Sequence, residues 1–370
     1  DGNTEEFCSA VGIIYRRIGT TWTSVRTGGN VSGIYTSVQM GKKLIFFNGL
    51  DRNIYTEDGI VFRELEGIIE RGRASSGTHE RGLQDANISN WVTTTDVAIN
   101  DLVYNQTRLA YGIVTLVSTA SVTHTPMSNV AQGLGYTSIA VTATSGDTYE
   151  IIDLVELNVI PTGLEDDNFA IATTTHNMMV TVASVADWNL TEVRVGDYIR
   201  NTTKNWVTSI TAISTSQLLT NWASTDSGDS LLFFKPAMPL ATRGHTHFGR
   251  LYMIDSRNTR DVSISGPDNP EDMTTDAGTL DSNTVHFGNL QPQADKLQGF
   301  VSFQRFISFL GLRNVYLFEG SDPIADSSAD STDFNVVGLF PQGMVSQNAG
   351  VSIGNDLVYI SVDGVQSISL

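Results

Sequence analysis

Gly249, Arg250, Leu251, Tyr252, Met253, followed after a polar loop by Val262, Ser263, Ile264, reads as a tight turn, an apolar strand, a second turn and a second strand. The same object recurs three times. It runs from Gly41, Lys42, Lys43, Leu44 to Asn53, Ile54, Tyr55, from Gln304, Arg305, Phe306, Ile307 to Val315, Tyr316, Leu317, and from Gly354, Asn355, Asp356, Leu357, Val358, Tyr359 through Val365 to Leu370. The last three begin at 249, 304 and 354, steps of 55 and 50 residues, which is the length of one four-stranded propeller blade. From 41 to 249 the step is 208 residues, so a large segment is expected to interrupt the series. A repeat that tolerates such an interruption fits a mechanical or recognition scaffold better than an enzyme built round one pocket.

Working outward, short runs alternate apolar and polar residues throughout, as in Ser138, Ile139, Ala140, Val141, Thr142 and Thr208, Ser209, Ile210, Thr211, Ala212, Ile213. A period of two punctuated by Gly, Asn and Asp marks half-buried antiparallel strands, so the expected class is all-β. Val61 to Arg71 has helix-compatible residues, but Gly67 and its brevity leave it open.

Inside the interruption a second repeat has a constant offset. Asn90, Trp91 with Asn100, Asp101, Leu102, Val103, Tyr104, Asn105, Gln106, Thr107 is matched by Asp187, Trp188 with Gly196, Asp197, Tyr198, Ile199, Arg200, Asn201, Thr202, Thr203. Asp101 and Asp197 are 96 apart, as are Asn105 and Asn201, Thr107 and Thr203, and the pairs Ser118, Thr119 and Ser214, Thr215. Each copy closes on a Ser-Gly-Asp turn, at Ser145, Gly146, Asp147 and at Ser227, Gly228, Asp229, and the first carries a longer loop from His124 to Gly135. Asn and Asp favour such turns because their side chains bond nearby backbone and tolerate left-handed angles.

The expected organisation is therefore a first propeller segment over 1–89, two tandem β-barrel or β-sandwich modules over 90–157 and 158–235, and the rest of the propeller over 236–370. Pro236 and Pro239 with Ala241 to Gly244 read as the return linker. Gly266, Pro267, Asp268, Asn269, Pro270, Glu271, Asp272 is expected as a solvated acidic excursion, since proline cannot donate to a sheet ladder. Ser321 to Asp333 reads as the equivalent loop of the next blade. The first residue is not methionine and Leu370 falls within the last hairpin, so residues are expected to be missing from the natural ends.

The 370 residues are 40% hydrophobic, enough for real cores, and 22 Lys plus Arg against 40 Asp plus Glu give a net charge of −18 and a pI near 4.6. Such a surface repels phosphate backbones and argues against gripping nucleic acid by counterion release, while remaining compatible with a wall past which DNA slides. Ordinary solubility is the plainer reading. Cys8 is the single cysteine, so no intrachain disulfide can form. No apolar run is long enough for a transmembrane helix.

Chemistry-bearing patterns are sparse. His245 and His247 share a strand face and could ligate a metal, but no third ligand is identifiable and surface histidines are the expectation. Asp268, Asp272 and Asp276 lack the spacing of a calcium loop. Three Asn-x-Thr matches, at Asn105, Asn189 and Asn201, include two at the repeat turn. Serine is too common for Ser, His and Asp coincidences to define a nucleophilic triad, no glycine elbow surrounds a serine, and Walker-type phosphate loops are absent. Asp255, Asp261 and Asp363 could serve as glycosidase carboxylates, but each stands where a turn wants Asp, and Ser361, Val362, Asp363, Gly364 only faintly matches an aspartate-box turn. Arg250, Arg257, Arg260, Arg305 and Arg313 gather on blade turns and suit subunit contacts as well as ligands.

Over His247 to Leu370, the stretch Phe248 to Tyr252, the acidic loop Ser265 to Asp272, the strands Ile307 to Phe318, and Ser352 to Ile360 with Asp363, Gly364, Val365 resemble the propeller of podophage tail nozzle proteins of the tail tubular protein B type, and Met40 to Tyr55 extends the resemblance. It implies a non-enzymatic virion protein without a cofactor: a homo-oligomeric, hexameric ring at the distal end of a short tail, assembled in the host cytoplasm. Tail adaptor and fibre or needle proteins are the implied partners, and DNA passes through the centre without sequence-specific binding. The candidate intersubunit or channel-facing residues are Asp51, Arg52, Asp255, Arg257, Arg260, Asp268, Asp272 and Arg313. The 96-residue duplication departs from any pattern of that family. The alternatives are a carbohydrate-active or carbohydrate-binding propeller, as in a tail depolymerase or adhesin, and a secreted cellular adhesin with tandem β modules.

Overall fold

The computed structural model describes residues 6–75, 82–95, 97–107, 110–124, 128–129, 146–157, 171–173, 179–182, 193–203, 206–214, 218–220, 231–273, 283–287, 295–320, 334–346 and 349–369. The chain is all-β. Its described residues form seven small antiparallel sheets, each contiguous in sequence, and contain one short helix.

Two compact units divide the chain, one of residues 1–66 with 238–370 and one of residues 67–237. The first unit begins with a three-stranded meander, β1 (Phe7–Ala10), β2 (Ile13–Ile18) and β3 (Thr21–Arg26), and a four-stranded one, β4 (Thr36–Met40), β5 (Lys43–Phe47), β6 (Ile54–Thr56) and β7 (Arg63–Glu64). The second unit opens with β8 (Ile68–Arg73), β9 (Gly82–Leu83), α1 (Trp91–Thr94), β10 (Leu102–Asn105), β11 (Ala110–Val117), β12 (Val122–His124), β13 (Ser128–Asn129) and β14 (Thr148–Ile152). It continues with β15 (Leu154–Leu157), β16 (Ile171–Thr173), β17 (Met179–Val182), β18 (Tyr198–Asn201), β19 (Trp206–Ile213), β20 (Leu218–Thr220) and β21 (Leu231–Pro236). The first unit then resumes with three meanders. They are β22 (Ala241–His247), β23 (Arg250–Asp255), β24 (Asp261–Ile264) and β25 (Asn283–His286); β26 (Leu297–Phe303), β27 (Phe306–Gly311), β28 (Val315–Glu319) and β29 (Asn335–Phe340); and β30 (Gly350–Ile353), β31 (Asp356–Ser361) and β32 (Gly364–Ser369).

The four hairpins read from sequence are the second and third strands of four of these sheets. The turn before each second strand needs a left-handed residue, supplied by Gly41, by Phe248 with Gly249, by Gln304 and by Gly354. Strands β23 and β27 are buried at every position, because the second strand is covered on both faces and must read as a continuous apolar run. Sheets of the first unit pack face to face in series. Tyr252, Ile254, Ile307, Phe309 and Phe318 form one core between β22–β25 and β26–β29, centred on Phe287, whose ring lies 4.9 Å from Phe309 and 5.0 Å from Tyr316. Burying each such aromatic contributes about 2–3 kcal/mol. Val301, Phe303, Leu310, Leu357 and Tyr359 belong to the next core, and Ile14, Phe46 and Ile54 to the first. All of these sheets are completed from one side of the 67–237 segment, so no sheet is split by it.

In the second unit both sheets have the same strand order, β8-β14-β10-β11-β12-β9 against β15-β21-β18-β19-β20-β17. The 96-residue offset holds at atomic detail. Asp101 Oδ2 accepts from the Ala98 amide at 2.6 Å and Asp197 Oδ2 from the Arg194 amide at 2.7 Å. Both copies place a left-handed residue just before that aspartate, Asn100 and Gly196, and both carry a bulge in the long strand, between Val114 and Leu116 and between Ile210 and Ala212. Boundaries differ from those expected at 89/90 and 157/158: β8 already pairs with β14, and β15 with β21. The two sheets are not separate beads. Leu102, Ile113, Ile152 and Leu154 share a core with Tyr198, Val207 and Phe234. Val61 to Arg71 holds β7 and the start of β8 and no helix: Arg63 and Glu64 pair with Tyr55 and Ile54, and Ile68 and Glu70 with Ile152 and Ile151. Ala241 to Gly244 is also strand, not linker: it opens β22. Residues 321–333, the 187–191 segment and the 227–229 turn lie outside the described residues, as does most of the 124–135 loop.

Candidate functional site

Antiparallel meanders send their first and third connections to one rim and their second to the other. Neighbouring sheets keep these rims together: Gln304 Nε2 donates to the Asn355 carbonyl between two first connections, and the Leu297 amide donates to the Thr259 carbonyl at the opposite rim. This geometry divides the eight candidate residues. Asp51, Arg52, Arg257, Arg260 and Arg313 belong to second connections and Asp255 ends β23 beside one, whereas Asp268 and Asp272 lie in the β24–β25 connection on the other rim.

Most of the eight hold their own turns. Asp51 accepts from the Asn30 amide at 2.6 Å, Asn48 Nδ2 at 2.7 Å and the Tyr35 hydroxyl at 3.2 Å, which pins the β3–β4 segment. Arg52 pairs with Glu64 at 3.1 Å and with Glu66. Asp255 is buried and accepts from the Arg257 amide at 2.8 Å. Arg260 is exposed and its carbonyl accepts from the Phe287 amide. The Asp268 amide donates to the Gly249 carbonyl at 2.7 Å, and the Asp272 carbonyl accepts from Gly266 at 2.8 Å. The Arg313 amide donates to both oxygens of buried Asp295 at 3.1 and 3.0 Å. Asp261 accepts within its own turn from Asn258 Nδ2, and Asp363 accepts from Gln342 Nε2, 21 residues earlier. Ser361 closes its own turn with Asp363 and Gly364.

At the rim of second connections, the chain leaves the first unit after Glu66 and returns at Met238. Asn53 governs both crossings. Its carbonyl accepts from the Leu65 amide at 2.7 Å, its Nδ2 donates to the Pro239 carbonyl at 2.8 Å, and its Oδ1 accepts from the Ala241 amide at 3.1 Å. Asn53 is 1% exposed. Sequence reasoning gave it no role, since an asparagine after a turn carries no signal of so distant a partner.

At the other rim, Glu271 is not solvated as its loop was expected to be. It is buried and pairs with Lys43 Nζ at 2.7 Å, and that ammonium also lies 4.4 Å from the Tyr55 ring centre, linking β4–β7 to β22–β25. His245 and His247 are not surface residues either. His245 Nε2 lies 2.7 Å from Ser302 Oγ, and His247 Nδ1 lies 3.0 Å from the same oxygen. Burial pushes His245 down to about 4, and burial together with the neighbouring His245 charge brings His247 to about 4. No cluster of three or more His, Cys, Asp or Glu suited to a metal occurs among the described residues, nor, among these, does a helix long and apolar enough to cross a membrane.

No family model matches the chain, and no curated protein matches it. Among solved structures, BamB from Moraxella catarrhalis aligns over 99% of this chain and 82% of its own at 10% identity with a TM-score of 0.24. Sqt1 from Saccharomyces cerevisiae aligns over 96% of this chain and 76% of its own at 8% identity with a TM-score of 0.21. At those scores neither likeness carries an argument about this chain.

Proposed function

We propose that the first unit is a β-propeller platform, that residues 67–237 are its appendage of two duplicated β modules, and that the protein is a structural, non-enzymatic subunit of a ring-shaped podophage tail nozzle. In this reading copies surround a channel through which DNA is retained and ejected, and the rims dock other tail components. The observation that carries it is the serial stack of meander sheets whose first strands β4, β22, β26 and β30 neighbour one another, interrupted in sequence between β7 and β22 by a second compact unit. That is a scaffold with an attachment point. The net charge of −18 supports a wall that does not hold DNA. The turn-bound state of most candidate carboxylates and arginines supports a role for these rims in shape and contact. Imaging and mass measurement of the purified protein at micromolar concentration test the reading. Closed rings of several copies around a DNA-wide hole are expected; a monomer at every concentration, with no association with tail proteins, would overturn it.

A further inference from the structure

In the first unit, the edge strands β22 and β26 of two neighbouring sheets are joined by three side chains. We propose that His245, Ser302 and His247 form an acid-sensitive latch that holds the β22–β25 sheet against the β26–β29 sheet at neutral pH and releases it when the imidazoles take up protons from solvent.

The chemistry follows from the capacity of one hydroxyl. Ser302 Oγ carries one hydrogen and faces two ring nitrogens, His245 Nε2 and His247 Nδ1, both on β22. With neutral rings one nitrogen donates to the oxygen and the other accepts from it, so both bonds are made. His247 Nε2 is buried and has no hydrogen-bond partner. The cheaper arrangement therefore leaves that nitrogen bare: His247 donates through Nδ1–H, and Ser302 donates to His245 Nε2. Proton uptake then damages both halves. A proton on His245 Nε2 replaces the acceptor that Ser302 uses, and a proton on His247 Nε2 is buried without an acceptor.

Among the described residues, Ser302 is the hydrogen-bond partner of both rings and no acidic group bonds them to offset the new charge. Arg243 precedes His245 by two residues on β22, and Tyr252 and Arg250 are the β23 register partners of His245 and His247. Phe300 of β26 stacks on the His245 ring at 6.2 Å, and Phe248 lies 4.3 Å from the His247 ring. From β4 and β5, the approaches to β22 include the Thr36 hydroxyl at the Thr242 carbonyl, the Gln39 carbonyl at Thr246 and the Phe47 ring at Gly244. Among the described residues, the titratable neighbours of the pair on these elements are two arginines and a tyrosine, and no carboxylate bonds either ring. Burial already disfavours the protonated rings. Two like charges sharing one hydroxyl are expected to part the strands that carry them.

Amide hydrogen exchange of the full chain, corrected for intrinsic rates, tests the latch at pH 7.5 and pH 4.5. Protection of β22 and β26 is expected to fall at least tenfold more than that of β27, and His245→Gln/His247→Asn is expected to remove that excess. Ser302→Ala keeps both rings and is expected to show the acid level of protection already at pH 7.5; it carries the test alone if the double variant fails to fold. An equal fall across the three strands, or an excess that survives loss of both rings, would overturn the proposal, as would full protection of Ser302→Ala at pH 7.5. The outcome does not depend on whether the protein forms rings.

Discussion

Asn53 and Ala241 stand 188 residues apart in sequence, and the Asn53 side-chain oxygen accepts the Ala241 amide at 3.1 Å while its nitrogen holds the Pro239 carbonyl. One buried amide therefore fixes the strand that returns to the first unit, and its backbone carbonyl fixes Leu65 on the outgoing side. Asn53→Ala leaves a buried N–H and a buried carbonyl without partners, and a loss of about 2–4 kcal/mol is expected. Urea unfolding checks it, and Asn53→Asp, which keeps only the acceptor, is expected to be at least as damaging because it buries a charge.

Gly244 has no room for a side chain: a Cβ there would sit 2.4 Å from the Phe47 ring. Gly244→Ala is expected to cost about 1–3 kcal/mol through overpacking between β22 and β5. Adding Phe47→Leu should cost less than the sum of the two single changes, and a double-mutant cycle measures that coupling.

Lys43→Met removes the ammonium that pairs with buried Glu271 at 2.7 Å and is expected to cost about 3 kcal/mol. Lys43→Met with Glu271→Leu should recover most of that loss, since the desolvation penalty disappears with the charge. Thermal unfolding of the two single variants and the double variant decides it.

The histidine pair makes stability depend on pH in a stated direction. Each ring titrates near 6.5 when unfolded and at about 4 when folded, so between these values the unfolded chain binds more protons. The contribution is complete above pH 6.5 and is lost as the pH falls toward 4, by about 3 kcal/mol for each ring. Denaturant midpoints for the natural chain and for His245→Gln/His247→Asn should converge in their pH dependence only if other groups dominate this window; a steeper fall in the natural chain is the expected result.

For duplex DNA the net charge of −18 predicts no retention in a gel-shift experiment at 50 mM salt. Binding that weakens linearly with the logarithm of salt concentration would show a basic contact surface and argue against a low-friction channel.

Much of the architecture was legible locally. The all-β class, the four hairpins and the duplication at Asp101 and Asp197 rest on alternation and turn chemistry, which act between residues a few positions apart. Seven of the eight rim residues lie in connections and Asp255 ends β23, but their partners were not readable, and the solvated-acid and surface-histidine expectations failed for Glu271 and for His245 and His247. Those residues acquire their meaning from distant partners: Glu271 from Lys43, 228 residues away, and His245 from Ser302, 57 residues away. By itself, the sequence determined which segments become strands and where they turn, because backbone sterics and side-chain alternation are short-range. Only the tertiary structure decided which sheet faces meet, and therefore which polar groups are buried together, because burial belongs to the packed pair of surfaces and to neither strand alone.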